Sequence, residues 1–315
     1  MSMRAYSLQE LDVDVGKLYV EGLRRGLSVP WRGMQNLFSV CPEQFTLVTG
    51  MPGSGKSEWL DDLLIGLCKA NPKARVAYYS PENRPYSLHV AKLLSKYVGK
   101  PFHDGPTNRM TPQEAAEGTR WLVKHITFVE DGDVSQTIYD VLNEEKFPVK
   151  NVVWWQKGHT RFDNTNDSPF FLVIDPWNFL EKKKGRDETE ADYLSAALSA
   201  VDQFVHATGA HVFIVAHPKV INRDKDGTRP VPTPYDVSGG AHWFNKADNI
   251  ICVHRVDKTD PRSAVEIHVQ KVRFSHVGEL GVCKLNYDRV TGRYSDRLEA
   301  VNTTRDSTYG ANSTF

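Results

Sequence analysis

Cysteine is scarce in this chain and never paired in sequence. The four cysteines, Cys41, Cys68, Cys252 and Cys283, stand far apart with no C-x-x-C among them. That spacing suggests neither a zinc knuckle nor a disulfide framework, and a reducing compartment is the simple reading. Neither sign of charge dominates: Lys+Arg and Asp+Glu are both 39, for a formal net charge of +0. A surface basic enough to coat nucleic acid is therefore not indicated, although a local basic lining is compatible with that balance. No uncharged apolar run is long enough to cross a bilayer, so no membrane partner is expected. The opening residues, MSMRAYSLQELDVDVG, lack the apolar segment of a secretory signal. A cytoplasmic protein is expected on these grounds, with a mitochondrial one left open. What remains is ordinary globular composition over 315 residues, 40% hydrophobic and 25% charged, enough for one large domain or two small ones.

The pattern along the chain predicts an α/β fold. Residues 7–25 read as a short amphipathic helix, capped by Ser7 with Glu10 three residues on and ended by Gly26 and Pro30. From Phe45, apolar strands (FTLVTG, ARVAYYS, FFLVIDPW, HVFIVAH) alternate with helices of 3.6-residue period (KSEWLDDLLIGLCKA, PYSLHVAKLLSKYVG, ETEADYLSAALSAVDQFVHATG). A further helical stretch precedes FFLVIDPW. Strands apolar on both faces imply a mainly parallel sheet with helices on each side. After His217 comes a long polar loop rich in Gly and Pro, then NIICVHR, AVEIHVQKV and VCKLNYD, close enough together to form an antiparallel edge. VVWWQKGHTRFDNTNDSP, with Trp154 and Trp155, reads as an insertion, and EAVNTTRDSTYGANSTF as a weakly structured tail. The expected organisation is an N-terminal linker helix over 1–30, one α/β domain over 31–298 and the tail over 299–315.

One strand breaks its own pattern. In AVEIHVQKVRF, Val265, Ile267 and Val269 share one face and Glu266, His268 and Gln270 the other. Strict alternation then places Lys271 and Arg273 on the face that had been apolar, which is unexpected for a core strand.

GMPGSGKS, Gly50 to Ser57, matches G-x-x-x-x-G-K-[ST] between a strand and a helix, the context that motif requires. In such a loop Gly50, Pro52, Gly53, Ser54 and Gly55 let backbone N–H groups close on phosphate oxygens, and the helix N-terminus adds its dipole. Lys56 would reach the β and γ phosphates of ATP, and the Ser57 hydroxyl would ligate Mg²⁺. Asp175 follows four apolar residues at the carboxyl end of a strand, where α/β sheets bind ligands, and suits the metal side of the site. A carboxylate capping the next turn is its plainer alternative. Glu82, after VAYYSPEN begins to turn, reads as a cap or as the base that orients the attacking water. Beside Lys56 and Asp175 the second reading is favoured. His217 closes a third strand at the same edge, and a lone histidine is either structural or, from there, a γ-phosphate contact.

Together VTGMPGSGKSEWLDDLL, YYSPENRP, VIDPWN, HVFIVAHPK, PTPYDVSGGAHWFNKADN and VQKVRF resemble the RecA-like ATPase domain of DnaB-type ring helicases, in the family's order, over roughly residues 30–295. The phage and Twinkle-like branch is the nearest within that family. The resemblance implies that Lys56 and Ser57 hold phosphate and Mg²⁺, Glu82 is the base, Asp175 the Mg²⁺-linked acid and His217 the γ-phosphate sensor. It implies that Lys271 and Arg273 form a K-x-R pair reaching the ATP of the neighbouring subunit. Both side chains should then be exposed and lack carboxylate partners within one chain. Arg255 and Tyr287 match positions that sandwich adenine, and each reads equally as a surface residue. Ser238, Gly239 and Gly240 match a central-channel loop whose backbone follows the phosphates of single-stranded DNA. A flexible hinge is the alternative for the glycines. Lys219, Arg223 and Arg229 would add charge there, or belong to an ordinary solvated loop.

The partners so implied are single-stranded DNA, further copies of the chain in a homo-oligomer, most often a hexamer, and a primase, polymerase or loader. With the phosphate loop starting at Gly50, no primase or helicase-associated domain is expected ahead of it, so priming sits elsewhere or the chain is a fragment. The N-terminal helix would dock on an adjacent subunit or fold back on its own domain. Two other classes compete with a helicase: a RecA-fold strand-exchange or regulatory ATPase that does not unwind, and a small-molecule phosphotransferase.

Overall fold

The computed structural model describes residues 7–23, 25–105, 107–129, 169–179, 189–219, 221, 230–257 and 263–297. Arg223, Arg229, the insertion around Trp154 and Trp155 and the expected tail lie outside them. Eleven strands and six helices are described: β1 (Leu27–Ser28), β2 (Ser39–Val40), β3 (Gln44–Thr49), β4 (Arg75–Tyr79), β5 (Ile126–Phe128), β6 (Phe170–Ile174), β7 (His211–Val215), β8 (Asn249–Arg255), β9 (Val265–Val272), β10 (Gly281–Tyr287) and β11 (Tyr294–Asp296), with α1 (Leu8–Glu21), α2 (Lys56–Ala70), α3 (Tyr86–Val98), α4 (Pro112–His125), α5 (Glu190–Thr208) and α6 (Gly240–Lys246). β1 and β2 make a small antiparallel pair. The other strands form one nine-stranded sheet in the order β11-β10-β9-β8-β3-β7-β6-β4-β5. The pairs from β8 across to β5 are parallel, and β9, β10 and β11 are antiparallel additions at one edge.

The expected α/β fold is therefore the observed one, for the reason its strands are apolar throughout. Every residue of β3, β6 and β7 is buried because the sheet is covered on both sides. Phe171 and Val173 of β6 pack into the core beneath α2, α3 and α4. Their neighbours Phe170, Leu172 and Ile174 pack into the core beneath α5 and α6. α2 spans the residues its spacing predicts, with Trp59, Leu60, Leu63, Leu64 and Leu67 buried. α4 and β5 were not individually resolved by the sequence pattern. α4 is framed by a capping box in which Thr111 accepts from the Glu114 N–H and Glu114 from the Thr111 N–H.

α1 is the exception to this packing. Its Ser7–Glu10 capping box forms as expected, but the helix stops at Glu21 instead of running on to residue 25, because Gly22 takes φ 75°. None of its residues is buried, so it does not fold back on its own domain. Leu8, Val13, Val15, Leu18, Tyr19 and Val20 are all largely exposed.

Candidate nucleotide site

Four parallel strands end in register, with Tyr79 opposite Ile174, Ile174 opposite Ile214 and Val48 opposite Val215. The turns after them therefore emerge at one sheet edge, carrying Gly50–Ser57, Glu82, Asp175 and His217. The order β3-β7-β6-β4 places Asp175 between the strand ends that carry His217 and Glu82. His217 Nε2 lies 3.8 Å from Glu82 Oε2. The His217 N–H donates to the Asn178 side-chain oxygen at 3.1 Å, a contact invisible to motif reading, although Asn178 sits in the VIDPWN segment.

The loop itself is shaped for close backbone approach. Gly50 has φ 143°, and a Cβ there would lie 2.2 Å from the Val253 carbonyl oxygen. Gly53 and Gly55 have φ 72° and 98°, so the N–H groups before α2 take an orientation that side-chain-bearing residues rarely reach. Lys56, 5% exposed, donates from Nζ to the carbonyls of Gly50 at 2.8 Å and Met51 at 3.3 Å. Pro52 and Gly53 are exposed at the tip, and the buried Ser54 hydroxyl has no hydrogen-bond partner among the described residues.

Asp175 is buried, and burial pushes its carboxyl up to about 6; the Ser57 hydroxyl and Lys56 pull down against that, while Asp61 and Glu82 push further up. A desolvated carboxylate beside a serine hydroxyl is a donor set that Mg²⁺ fits, since that ion takes one or two protein oxygens and completes its shell with phosphates and water. The orphaned Ser54 hydroxyl and the glycine cradle fit a phosphate chain. Burial, and next Lys56, hold the His217 imidazole below its ordinary range, so it is neutral at pH 7.

Two contacts missed by motif reading brace this loop from behind. The Tyr294 hydroxyl donates to the Gly55 carbonyl at 3.2 Å, and its N–H donates to Asp62 at 2.8 Å, tying β11 to the start of α2. Asp61, one turn beyond Ser57, is held by His89 Nε2 at 3.0 Å. Arg255 and Tyr287 are brought together as the resemblance requires, the guanidinium 5.1 Å from the ring centroid, and Tyr287 packs 5.0 Å from Tyr294.

In the expected channel loop, Ser238 and Lys219 are exposed and Gly239 is half-buried with φ 73°. Gly240 is buried, and a Cβ there would lie 2.4 Å from Tyr235 Cα, so its lack of a side chain serves packing and not access.

The reading of AVEIHVQKVRF needs correction. β9 pairs Val269 with Ile251 and then Lys271 with Ile250, which leaves Gln270 as an extra residue: a β-bulge. The bulge restarts the alternation. Val269 and Val272 stay on the side of α2, whereas Lys271 shares a face with Ile250 on the side of α5. There its ammonium donates to the carbonyls of Phe244 and Ala247 at the end of α6. The cations thus do not displace core on the apolar face. Nor are they free of partners. Arg273 Nη1 lies 2.8 Å from Asp248 Oδ1, a carboxylate 5% exposed, while Arg273 itself is 39% exposed and Lys271 half-buried.

A phosphate loop, a buried acidic strand end and antiparallel edge strands on a parallel sheet define a RecA-like ATPase domain of the DnaB type. In sequence the chain is similar to the Twinkle homolog protein, chloroplastic/mitochondrial, of Arabidopsis thaliana, 36% identical over 284 residues. That match covers 87% of this chain and 37% of the relative, so the chain spans just over a third of it. In structure it resembles an ATPase domain solved on its own, with a TM-score of 0.69 at 14% identity over 93% of this chain and 100% of that one. It also resembles a DnaB-like replicative helicase described with its interactions with primase, with a TM-score of 0.65 at 13% identity over 93% and 68% of the two chains. The RadB recombinase shares the fold at a TM-score of 0.52 and 14% identity, over 86% of this chain and 99% of that one. No protein-family model matches the chain.

Proposed function

We propose that the chain is the motor of a replicative DNA helicase, which hydrolyses ATP at the interfaces of a hexameric ring and moves along single-stranded DNA. The observation that carries this reading is the division of the charged groups. Lys56, Ser57, Glu82, Asp175 and His217 gather at one sheet edge, while Lys271 and Arg273 lie at the end of β9, anchored to α6 and Asp248 and not to their own phosphate loop.

In this reading Glu82, exposed at the strand end, takes a proton from the attacking water, and neutral His217 keeps it aligned and meets the γ-phosphate. Lys56 leaves the carbonyls of Gly50 and Met51 for phosphate oxygens. Ser57 and Asp175 would hold Mg²⁺, which when bound neutralises charge on the phosphates. Arg273 and Lys271 of the adjacent copy complete the site, with Arg255 and Tyr287 at the base. Ser238, Gly239 and Lys219 would meet DNA phosphates, with the largely exposed α1 docking on the adjacent copy as a linker. A primase, polymerase or loader would act with the ring. The compartment proposed is cytoplasmic, the relative's printed name keeping an organelle in view.

Unwinding of a forked duplex with ATP tests the reading. The wild type should open the fork, and Lys56→Ala should not, because it removes the cation that grips the phosphates. ATP hydrolysis indifferent to any DNA would overturn the motor assignment. An open filament on single-stranded DNA, in place of a ring, would favour strand exchange.

A further inference from the structure

The carboxylate that holds Arg273 belongs to no motif. Asp248 lies between α6 and β8 and is fixed on several sides. Its Oδ2 accepts the Phe45 N–H at 2.9 Å, and its own N–H donates to the Phe45 carbonyl at 3.1 Å. Its carbonyl in turn accepts the Arg273 N–H at 2.9 Å. The arginine is thus tied to one residue by both backbone and side chain. Its Nη2 reaches the Asn245 carbonyl only at 3.5 Å. The neighbouring strand residues are pinned too: the Gln270 amide donates to the Pro232 carbonyl at 2.7 Å, and Lys271 to the Ala247 carbonyl at 2.7 Å.

We propose that Asp248 is the positioning residue for Arg273: its carboxylate holds one edge of the guanidinium, so that the remaining N–H donors stand ready for the nucleotide of a neighbouring copy. The proposal rests on the reading of Arg273 as a trans-acting group. A guanidinium carries five N–H donors in a rigid fork, and the 2.8 Å contact engages one end of it. An unpinned arginine would sample many rotamers and lose that freedom at each encounter. Stability alone does not explain the choice of residue. A nearly buried carboxylate is costly to desolvate, and an uncharged side chain could accept the Phe45 N–H as well.

Mixed oligomers test this. A Lys56→Ala chain keeps Arg273 but has lost its own phosphate grip, and an Arg273→Ala chain has the reverse defect, so mixing them should restore ATP hydrolysis. Asp248→Asn keeps an oxygen for Phe45 and should leave the melting temperature close to its parent's. Placed in the Lys56→Ala chain it should cut the restored rate about tenfold or more, as a slightly misplaced catalytic group does. Placed in the Arg273→Ala chain it should leave the restored rate unchanged. Equal loss in both placements, or loss in neither, would overturn the proposal. No restoration by the parent mixture would instead remove the trans reading of Arg273, and the proposal with it.

Discussion

The two groups of cations sit on one sheet but are held in opposite ways. At the phosphate loop Lys56 is almost wholly buried, and its partners are carbonyls of its own loop. Around it stand Asp175, Ser57, Glu82 and His217, all from the same chain. At the end of β9, Arg273 is 39% exposed and is gripped from behind by a buried carboxylate. The first group needs only phosphate and metal to be complete. The second has its supporting contacts but, among the described residues, nothing to act on within its own chain. That contrast is what an active site shared between copies requires: each subunit contributes one finished half and one half that a neighbour finishes. The bare α1 adds a further unfinished surface.

The contrast can be broken at either half. The largest effect is expected from Arg273→Ala, which should leave ATP binding intact and lower hydrolysis on the order of 10³-fold, the range seen for arginine fingers. Nucleotide titration beside steady-state turnover checks it, and unchanged turnover would collapse the distinction between the halves.

A smaller effect is expected behind the phosphate loop. Burial pushes the Asp62 carboxyl up to about 6, against the pull of the Tyr294 N–H and of Lys96, Arg293 and Lys69. A carboxyl whose pKa is raised by folding costs stability once ionised, so the cost is absent near pH 4 and complete above about pH 6. Asp62→Asn should therefore raise stability at pH 8, by about 2 kcal/mol from the size of that shift, and the gain should shrink as pH falls through 6. Thermal melts of both proteins across that range decide it, and a gain that persists at pH 4 would show that ionisation is not its cause.

The smallest effect is expected on α1. Leu18 is 51% exposed, so Leu18→Glu should alter the melting temperature of the isolated chain negligibly, by less than about 0.5 kcal/mol in stability. Size measurement with ATP and single-stranded DNA should nonetheless show weakened assembly if that helix docks on a neighbour.

Much of this was legible in the residues. The phosphate loop is contiguous, and its glycines, lysine and serine carry their chemistry in eight positions. Asp175, Glu82 and His217 were legible because each follows an apolar strand, and parallel strands deliver their ends to one edge. The face of Lys271 was not legible. Alternation along a single strand cannot reveal an extra residue, because a bulge is defined only against the strand it pairs with. The partner of Arg273 was hidden for a similar reason: Asp248 is 25 positions away and meets it only through the pairing of β8 with β9. Gly240 was read as an opening and proved to be a packing contact, since a glycine's neighbours are set by chain segments folded over it.

The sequence by itself determined the α/β layering and the nucleotide chemistry, because both follow from local periodicity and a short contiguous motif. Tertiary structure alone decided which face the β9 cations take, what holds them, what braces the phosphate loop from behind and that α1 is left bare. Each of those depends on contacts between segments far apart in the chain, where no local pattern reaches.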